Sequence, residues 1–232
     1  MKPSCYVIAG ANGVGKSTAA FQLIPAGVEQ LNPDDIARQL RQQHTHQEVV
    51  LQLTNDEVQR RIYHHMQRRE SVAVETNLHD VPTWQYFLSF QVQGYQLELI
   101  FISTSELPTL YERVVNRHRL GGHFVRPDVI RGRYEAGLAL LAHYFDKPDT
   151  ITLIDSTDRL RLVYKRVNGE VLLQTDPLPG WVRSHLLAHV QPLHRATPNT
   201  PPTSIDEARA RYQQLKQSQS SPSINPNEPP TL

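Results

Sequence analysis

Short apolar runs recur along the first two thirds of this chain. Between them the apolar positions space out by threes and fours. Cys5 to Ala9 is one such run, stopping at Gly10, and 71–75, 97–102 and 150–154 have the same form. Val28 to Asn32 is a weaker one. Continuous apolar runs of about four to eight residues mark strands buried on both faces. Leu51, Val58, Ile62 and Met66 are spaced by seven, four and four residues. Ile130, Tyr134, Leu138, Leu141 and Phe145 are spaced by four, four, three and four. Each set lies along one face of a helix, and Pro127 with Asp128 suits the first turn of the second. Near the end, 160–167 and 170–174 flank Asn168 and Gly169, a pair that tolerates the positive φ angles of a two-residue hairpin turn. Strands alternating with helices predict an α/β fold of three layers around a mainly parallel sheet. The hairpin adds an antiparallel C-terminal piece, either in that sheet or as a ribbon beside it. No internal repeat is present.

Composition narrows this picture. The chain has 232 residues, 39% hydrophobic and 20% charged, as in an ordinary globular protein of one large domain or a domain with an appendage. Lys and Arg number 24 and Asp and Glu 23, a net charge of +1 that excludes polyanion binding by bulk charge and counts against nucleic acid as partner. The single cysteine, Cys5, excludes an intrachain disulfide and falls in an apolar run, where an inert thiol is expected. No apolar run approaches the roughly 20 residues that span a bilayer, and the apolar stretch at the N-terminus is too short for a signal peptide. A cytoplasmic location is the expectation. The stretch from Thr197 to Leu232 holds seven of the 17 prolines, no glycine and one aromatic, Tyr212. That is too little apolar surface to offset the entropy of ordering. Residues 1–196 are therefore the expected working domain and 197–232 a flexible proline-rich tail, with a helix-compatible stretch from Ser204 to Gln217.

The chemistry starts at the first glycine. Gly10, Ala11, Asn12, Gly13, Val14, Gly15, Lys16 and Ser17 fit the phosphate-binding pattern GxxxxGK[ST], and Thr18 follows. Its glycines let successive backbone N–H groups point at phosphate oxygens, and the helix behind adds its positive end. Lys16 reaches the β- and γ-phosphates and Ser17 offers a hydroxyl to Mg²⁺. An apolar strand before the loop and a helical stretch after it complete the context. Asp34 and Asp35, after the second strand, would lie at the sheet edge where ligands collect, able to take a proton from an attacking hydroxyl. The competing reading is that they only offset a helix N-terminus. Glu75 ends an apolar strand, as expected of a carboxylate acting on the metal or its waters, against a purely structural role. Six arginines crowd 113–133: Arg113, Arg117, Arg119, Arg126, Arg131 and Arg133. Gly121 and Gly122 interrupt the two helices carrying them, so a mobile phosphate-neutralising lid is expected, against a solvated basic surface. The eleven histidines, including His185 with His189 and the adjacent His64 and His65, carry no metal-binding pattern. Trp181 and Leu178 are expected to pack a last helix onto the body.

Taken in order, AGANGVGKST, LNPDDIAR, VETNL and ERVVNRHRLGGHFVRPDVIRGRYEAGL resemble the zeta-toxin family of P-loop kinases, in its short branch, over most of residues 5–190. The resemblance implies an adenylate-kinase-like core. It also implies phosphoryl transfer from ATP or GTP, with Mg²⁺, to a small hydroxyl-bearing acceptor. In the studied toxins that acceptor is a UDP-amino sugar such as UDP-N-acetylglucosamine, and an antitoxin protein is then a candidate partner. By the same resemblance Lys16 and Ser17 hold phosphates and metal, Asp34 is the catalytic base and Glu75 the strand-end carboxylate. Arg113 and Arg126 match the lid arginines best, with Arg117 a further match. One departure matters. Thr76, Asn77, Leu78 and His79 stand where the family has a glycine-threonine-glycine-arginine run, which puts the acceptor's identity in doubt. A metabolite or antibiotic kinase of the same fold, or a nucleotide-hydrolysing switch acting on RNA, remains the alternative.

Overall fold

The computed structural model describes residues 2–119, 122 and 124–190. In chain order they form β1 (Ser4–Ala9), α1 (Lys16–Leu23), β2 (Glu29–Leu31), α2 (Pro33–Leu40), α3 (Gln47–Gln67), β3 (Val72–Thr76) and α4 (Val81–Val92). Then follow β4 (Gln96–Ser103), α5 (Leu107–Arg119), α6 (Pro127–His143), β5 (Thr150–Asp155), β6 (Arg161–Val167), β7 (Glu170–Gln174) and α7 (Gly180–His185). The strands make one sheet in the order β2-β3-β1-β4-β5-β6-β7. The first five run parallel, and β6 and β7 join antiparallel, so the hairpin extends the main sheet instead of lying beside it. Asn168 and Gly169 adopt φ of 49° and 86°, the left-handed geometry that a two-residue turn requires.

Strand alternation divides the core between the two faces of the sheet. Val7, Ala9, Val74, Leu99 and Phe101 meet residues of α2, α3, α4, α6 and α7 on one face. Tyr6, Ile8, Ala73, Ile100 and Ile102 meet α1, α5 and the start of α6 on the other. Three layers result, as the alternation of elements predicts. Every residue of β1 is buried, and β1 lies between β3 and β4, at the point where the chain's connections diverge to the two sides. In open α/β sheets such a point, at the strands' C-terminal ends, is where ligands bind.

Helix α6 buries Ile130, Leu138 and Leu141 with Tyr134 beside them, and the turn after it buries Phe145, completing the expected stripe. In α3 the stripe starts differently. Leu51 is 62% exposed, and Val50 and Thr54 continue the buried line of Val58 and Ile62. Steps of four residues drift about 40° around a straight helix, so the buried stripe slants back from Val58 through Thr54 to Val50 and leaves Leu51 to one side. Helix α4 has no counterpart among the helices expected from spacing. Trp181 is buried on α7 with Leu178 packed nearby, and Cys5 is fully buried, its thiol pushed up by burial. The expected boundary at 196/197 and the stretch from Ser204 to Gln217 lie outside the described residues. No helix among those described is long and apolar enough to cross a membrane.

Candidate functional site

The loop between β1 and α1 is shaped by what its glycines touch. Gly10 has φ +138°, and a Cβ there would stand 2.2 Å from the Ile102 carbonyl oxygen. Gly13, at φ +88°, lies against the backbone of α5, where a Cβ would be 2.8 Å from the Leu110 oxygen. Gly15, at φ +92°, leads into the first turn of α1. Ala11 and Val14 are buried beneath the loop, and Thr18 is exposed on α1. No larger residue could take the Gly10 conformation without displacing β4.

Lys16 is half-buried. Its Nζ donates to the carbonyls of Gly10 (2.8 Å) and Ala11 (3.2 Å) and to Asn77 Oδ1 (3.2 Å). Burial pulls its pKa down to about 8, against the opposing pull of Glu75 and Asp34. Ser17 Oγ donates to Glu75 Oε2 at 2.9 Å, and Asn32 Nδ2 donates to the same oxygen at 3.1 Å. Burial raises the Glu75 pKa, while Lys16 and Ser17 oppose that shift. Asn32 also caps α2, its Oδ1 accepting from the Asp34 N–H at 2.9 Å ahead of Pro33 in the first turn. That cap presents Asp34 and Asp35 from the first turn of α2 beside the phosphate loop. Asp35 also lines a cavity of about 180 Å³ with Ser17, Asn32 and Glu75, over a floor that includes Ala20 and Ala73.

The two acids face different neighbours. Asp34 Oδ2 lies 3.7 Å from Arg117 Nη2, and its charge acts on Lys16 and Arg133. Asp35 pairs with Arg38 at 2.9 Å, and both acids, Asp34 the more strongly, add to the negative field at Glu75. Arg133 reaches in from α6 to donate to Asn12 Oδ1 at 2.8 Å. Burial lowers its pKa and Asp34 opposes the shift. Asn12 itself is only 7% exposed, so this contact seals one side of the loop.

Of the expected site residues, Lys16, Ser17, Asp34, Glu75 and Arg117 converge on one edge of the sheet. Arg113 borders the loop from outside, donating to the carbonyls of Gly13, Ser156 and Thr157. Arg126 is exposed and paired with Asp128 at 2.8 Å. The expected hinge is described only at Gly122, whose N–H bonds the Arg117 carbonyl at 2.9 Å and closes the end of α5. Two contributors are not among the residues expected from sequence, Asn32 and Asn77, and Arg133 is expected only as one member of the arginine cluster. An Asn before a Pro announces the first, as a helix cap. Arg133 is adjacent to Tyr134 of the α6 stripe, a signal shared by any residue bordering a buried face. Where the resembled family carries an arginine, His79 is half-buried, its pKa lowered by burial and by Arg133.

Among the described residues no three His, Cys, Asp or Glu side chains form a metal cage. Ser17 and Glu75 still fit magnesium: both are hard oxygen donors, and the half-buried carboxylate, its pKa raised by burial, would gain from a cation. Magnesium commonly takes its remaining ligands from nucleotide phosphates and water.

A family profile described as an AAA domain matches residues 6–162. No curated protein matches the sequence. Among solved structures, a chain of the AvrRxo1-ORF1:AvrRxo1-ORF2 complex with ATP superposes with a TM-score of 0.63 at 15% identity, covering 92% of this chain and 76% of that one. In the native form of that complex the TM-score is 0.59 at 17% identity, over 74% of this chain and only 61% of the other's length. The PezAT chromosomal toxin-antitoxin system of Streptococcus pneumoniae gives 0.55 at 15% identity, over 95% and 88%. A putative kinase from Chloroflexus aurantiacus gives 0.54 at 18% identity, over 68% and 90%. Likenesses at these identities establish a P-loop kinase-like fold.

Proposed function

The chain belongs to the AAA-domain family, and we propose that it is a kinase moving the γ-phosphoryl group of ATP or GTP to a hydroxyl of a small acceptor. The observation that carries this reading is the placement of Asp34. Its carboxylate stands at the edge of the phosphate loop, among Lys16, Arg117 and Arg133, where an acceptor hydroxyl would meet the γ-phosphate. A nucleotide switch needs the loop, but it has less need of a carboxylate flanked by two arginines on that side.

In this reading the loop N–H groups and Lys16 hold the β- and γ-phosphates. Ser17 and Glu75 would hold magnesium, which when bound supplies charge neutralisation to the phosphate oxygens. Asp34 accepts the proton of the acceptor hydroxyl as its oxygen bonds to the γ-phosphorus. The bond from that phosphorus to the bridging oxygen breaks, and the nucleoside diphosphate leaves. Arg117 and Arg133 balance charge on the transferring group, with Arg126 joining if the segment after α5 closes.

The zeta-toxin resemblance, supported by the fold shared with the PezAT system, extends this to a UDP-amino sugar acceptor and an antitoxin partner. The half-buried His79, in place of the family's arginine, favours the second reading, a metabolite or antibiotic kinase of the same fold. Incubation with labelled ATP and a panel of nucleotide sugars, aminoglycosides, nucleotides and RNA separates them. Label on a nucleotide sugar supports the first and label on another small molecule the second. Release of phosphate with no labelled product would overturn the kinase reading.

A further inference from the structure

Sequence pattern groups Arg113 with the lid, yet its surroundings are carbonyl oxygens. Its Nη1 donates to Gly13 O at 3.4 Å, and its Nη2 to Ser156 O at 2.9 Å and Thr157 O at 3.2 Å. We propose that Arg113 is a positioning residue that sets the curl of the phosphate loop through the Gly13 carbonyl and does not itself meet the phosphates. This rests on the reading of that loop as a nucleotide-phosphate site.

A loop that turns its N–H groups inward to an anion turns carbonyls outward, and each outward carbonyl needs a donor. Gly13 is where the loop touches α5: a Cβ there would press on the Leu110 backbone and on Val114. Arg113 extends from the same helix to catch the Gly13 oxygen, so α5 fixes this peptide through both its backbone and a side chain. The planar guanidinium fork can serve carbonyls on two segments at once, which an ammonium on a flexible stem does poorly. The far end of the brace is itself anchored. Thr157 Oγ1 accepts from the Ser105 N–H (3.1 Å) and donates to Asp155 Oδ1 (2.9 Å), and the same carboxylate oxygen accepts from Trp181 Nε1 at 3.0 Å. Asp155 and Trp181 are 6% and 2% exposed. The brace therefore runs from the loop to the end of β5 and on to α7.

The test compares Arg113→Met, which keeps the stem, with wild type and Arg113→Lys, using Mg·ATP in calorimetric titration, steady-state transfer and hydrogen exchange of the nucleotide-free protein. Losing a charge-assisted bond to Gly13 should weaken Mg·ATP binding about tenfold or more. The rate at saturating nucleotide should change less than that, amides 13–16 should exchange faster, and lysine should restore binding only in part. Thr157→Val, which loosens the far anchor and leaves Arg113 in place, should weaken binding in the same direction; if Arg113→Met fails to fold, this variant decides. A large loss of rate with unchanged affinity would show Arg113 acting on the transferring phosphoryl and overturn the proposal. A lowered melting temperature with affinity and loop exchange unchanged would reduce it to an ordinary structural contact and overturn it equally. Binding and exchange are read without an acceptor, so failure of the kinase reading leaves this result standing. If wild type binds no Mg·ATP, both readings fall.

Discussion

Lys16 is poised between two environments. In the free loop, burial holds its pKa near 8, below the value of about 10.4 for a lysine in an unfolded chain. Between those values the unfolded chain binds more protons than the folded one, so stability rises with pH across that window. Below pH 8 the desolvation of this charge, which Glu75 and Asp34 offset only in part, is fully present as a cost, and it fades as Lys16 releases its proton. Nucleotide phosphates favour the charged form, so binding Mg·ATP at about pH 8.5 should take up a proton, and affinity should fall as pH rises further. Calorimetry in two buffers of different ionisation heat measures the uptake. It should vanish in Lys16→Ala, which should also abolish transfer while unfolding within a few degrees of wild type. At Asp34 the test is steady-state transfer: Asp34→Asn should cost on the order of a hundredfold in rate with little change in ATP affinity. With Asp34 as the base that the resemblance implies, Asp35, one position along, is expected to point elsewhere and be silent. The structure instead sets it on the cavity beside Ser17 and Glu75. Asp35→Asn should therefore raise the magnesium concentration needed for half-maximal rate and leave the maximal rate intact. A dispensable Asp34 beside an essential Asp35 would move the base by one position.

At the scale of elements, spacing reveals α6 and misses α4. Helix α4 buries Trp84, Phe87 and Phe90 at intervals of three, with Tyr86 and Leu88 packed on the same core. A helix apolar over most of its circumference loses the periodic contrast by which amphipathic helices are recognised. Trp84 stacks on Tyr144 at the end of α6, 4.9 Å between centroids, so α4 is held between sheet and helix. Its legible signal is at the start, where Asp80 Oδ1 accepts the Thr83 N–H at 2.8 Å ahead of a helix with proline in its first turn. Asp80→Ala should cost about 1 kcal/mol in urea unfolding, a cap's ordinary worth. No change would mean the helix is held by packing alone. At the phosphate loop, Gly10→Ala would need its new methyl 2.2 Å from the Ile102 oxygen, so it should remove Mg·ATP binding in titration even where the fold survives.

For the whole molecule, Mg·ATP binding only the folded state should stabilise it by about 2.7 kcal/mol at a hundredfold excess over the dissociation constant. Thermal unfolding reads this directly, and no shift at millimolar Mg·ATP would contradict a nucleotide site. The sequence alone determined the alternation of strands and helices, the hairpin at Asn168-Gly169 and the phosphate loop. Each of those is a local constraint: apolar period, φ tolerance, or a fixed spacing of glycines and lysine within one stretch of chain. It also marked Asp34, Glu75 and the arginine-rich segment, because strand ends and helix starts can be read from a few residues. Which arginine faces which group was decided only by the tertiary structure. Arg113, Arg117, Arg126 and Arg133 are alike as residues and close in sequence. Arg126 stays with its neighbour Asp128, while the directions from which α5 and α6 approach the loop send Arg113 to outward carbonyls, Arg117 to Asp34 and Arg133 to Asn12. Asn77 reaches Lys16 for the same reason, across 61 residues of chain. Such contacts depend on helix placement over a sheet, and long-range packing sets that placement without leaving a local pattern to read.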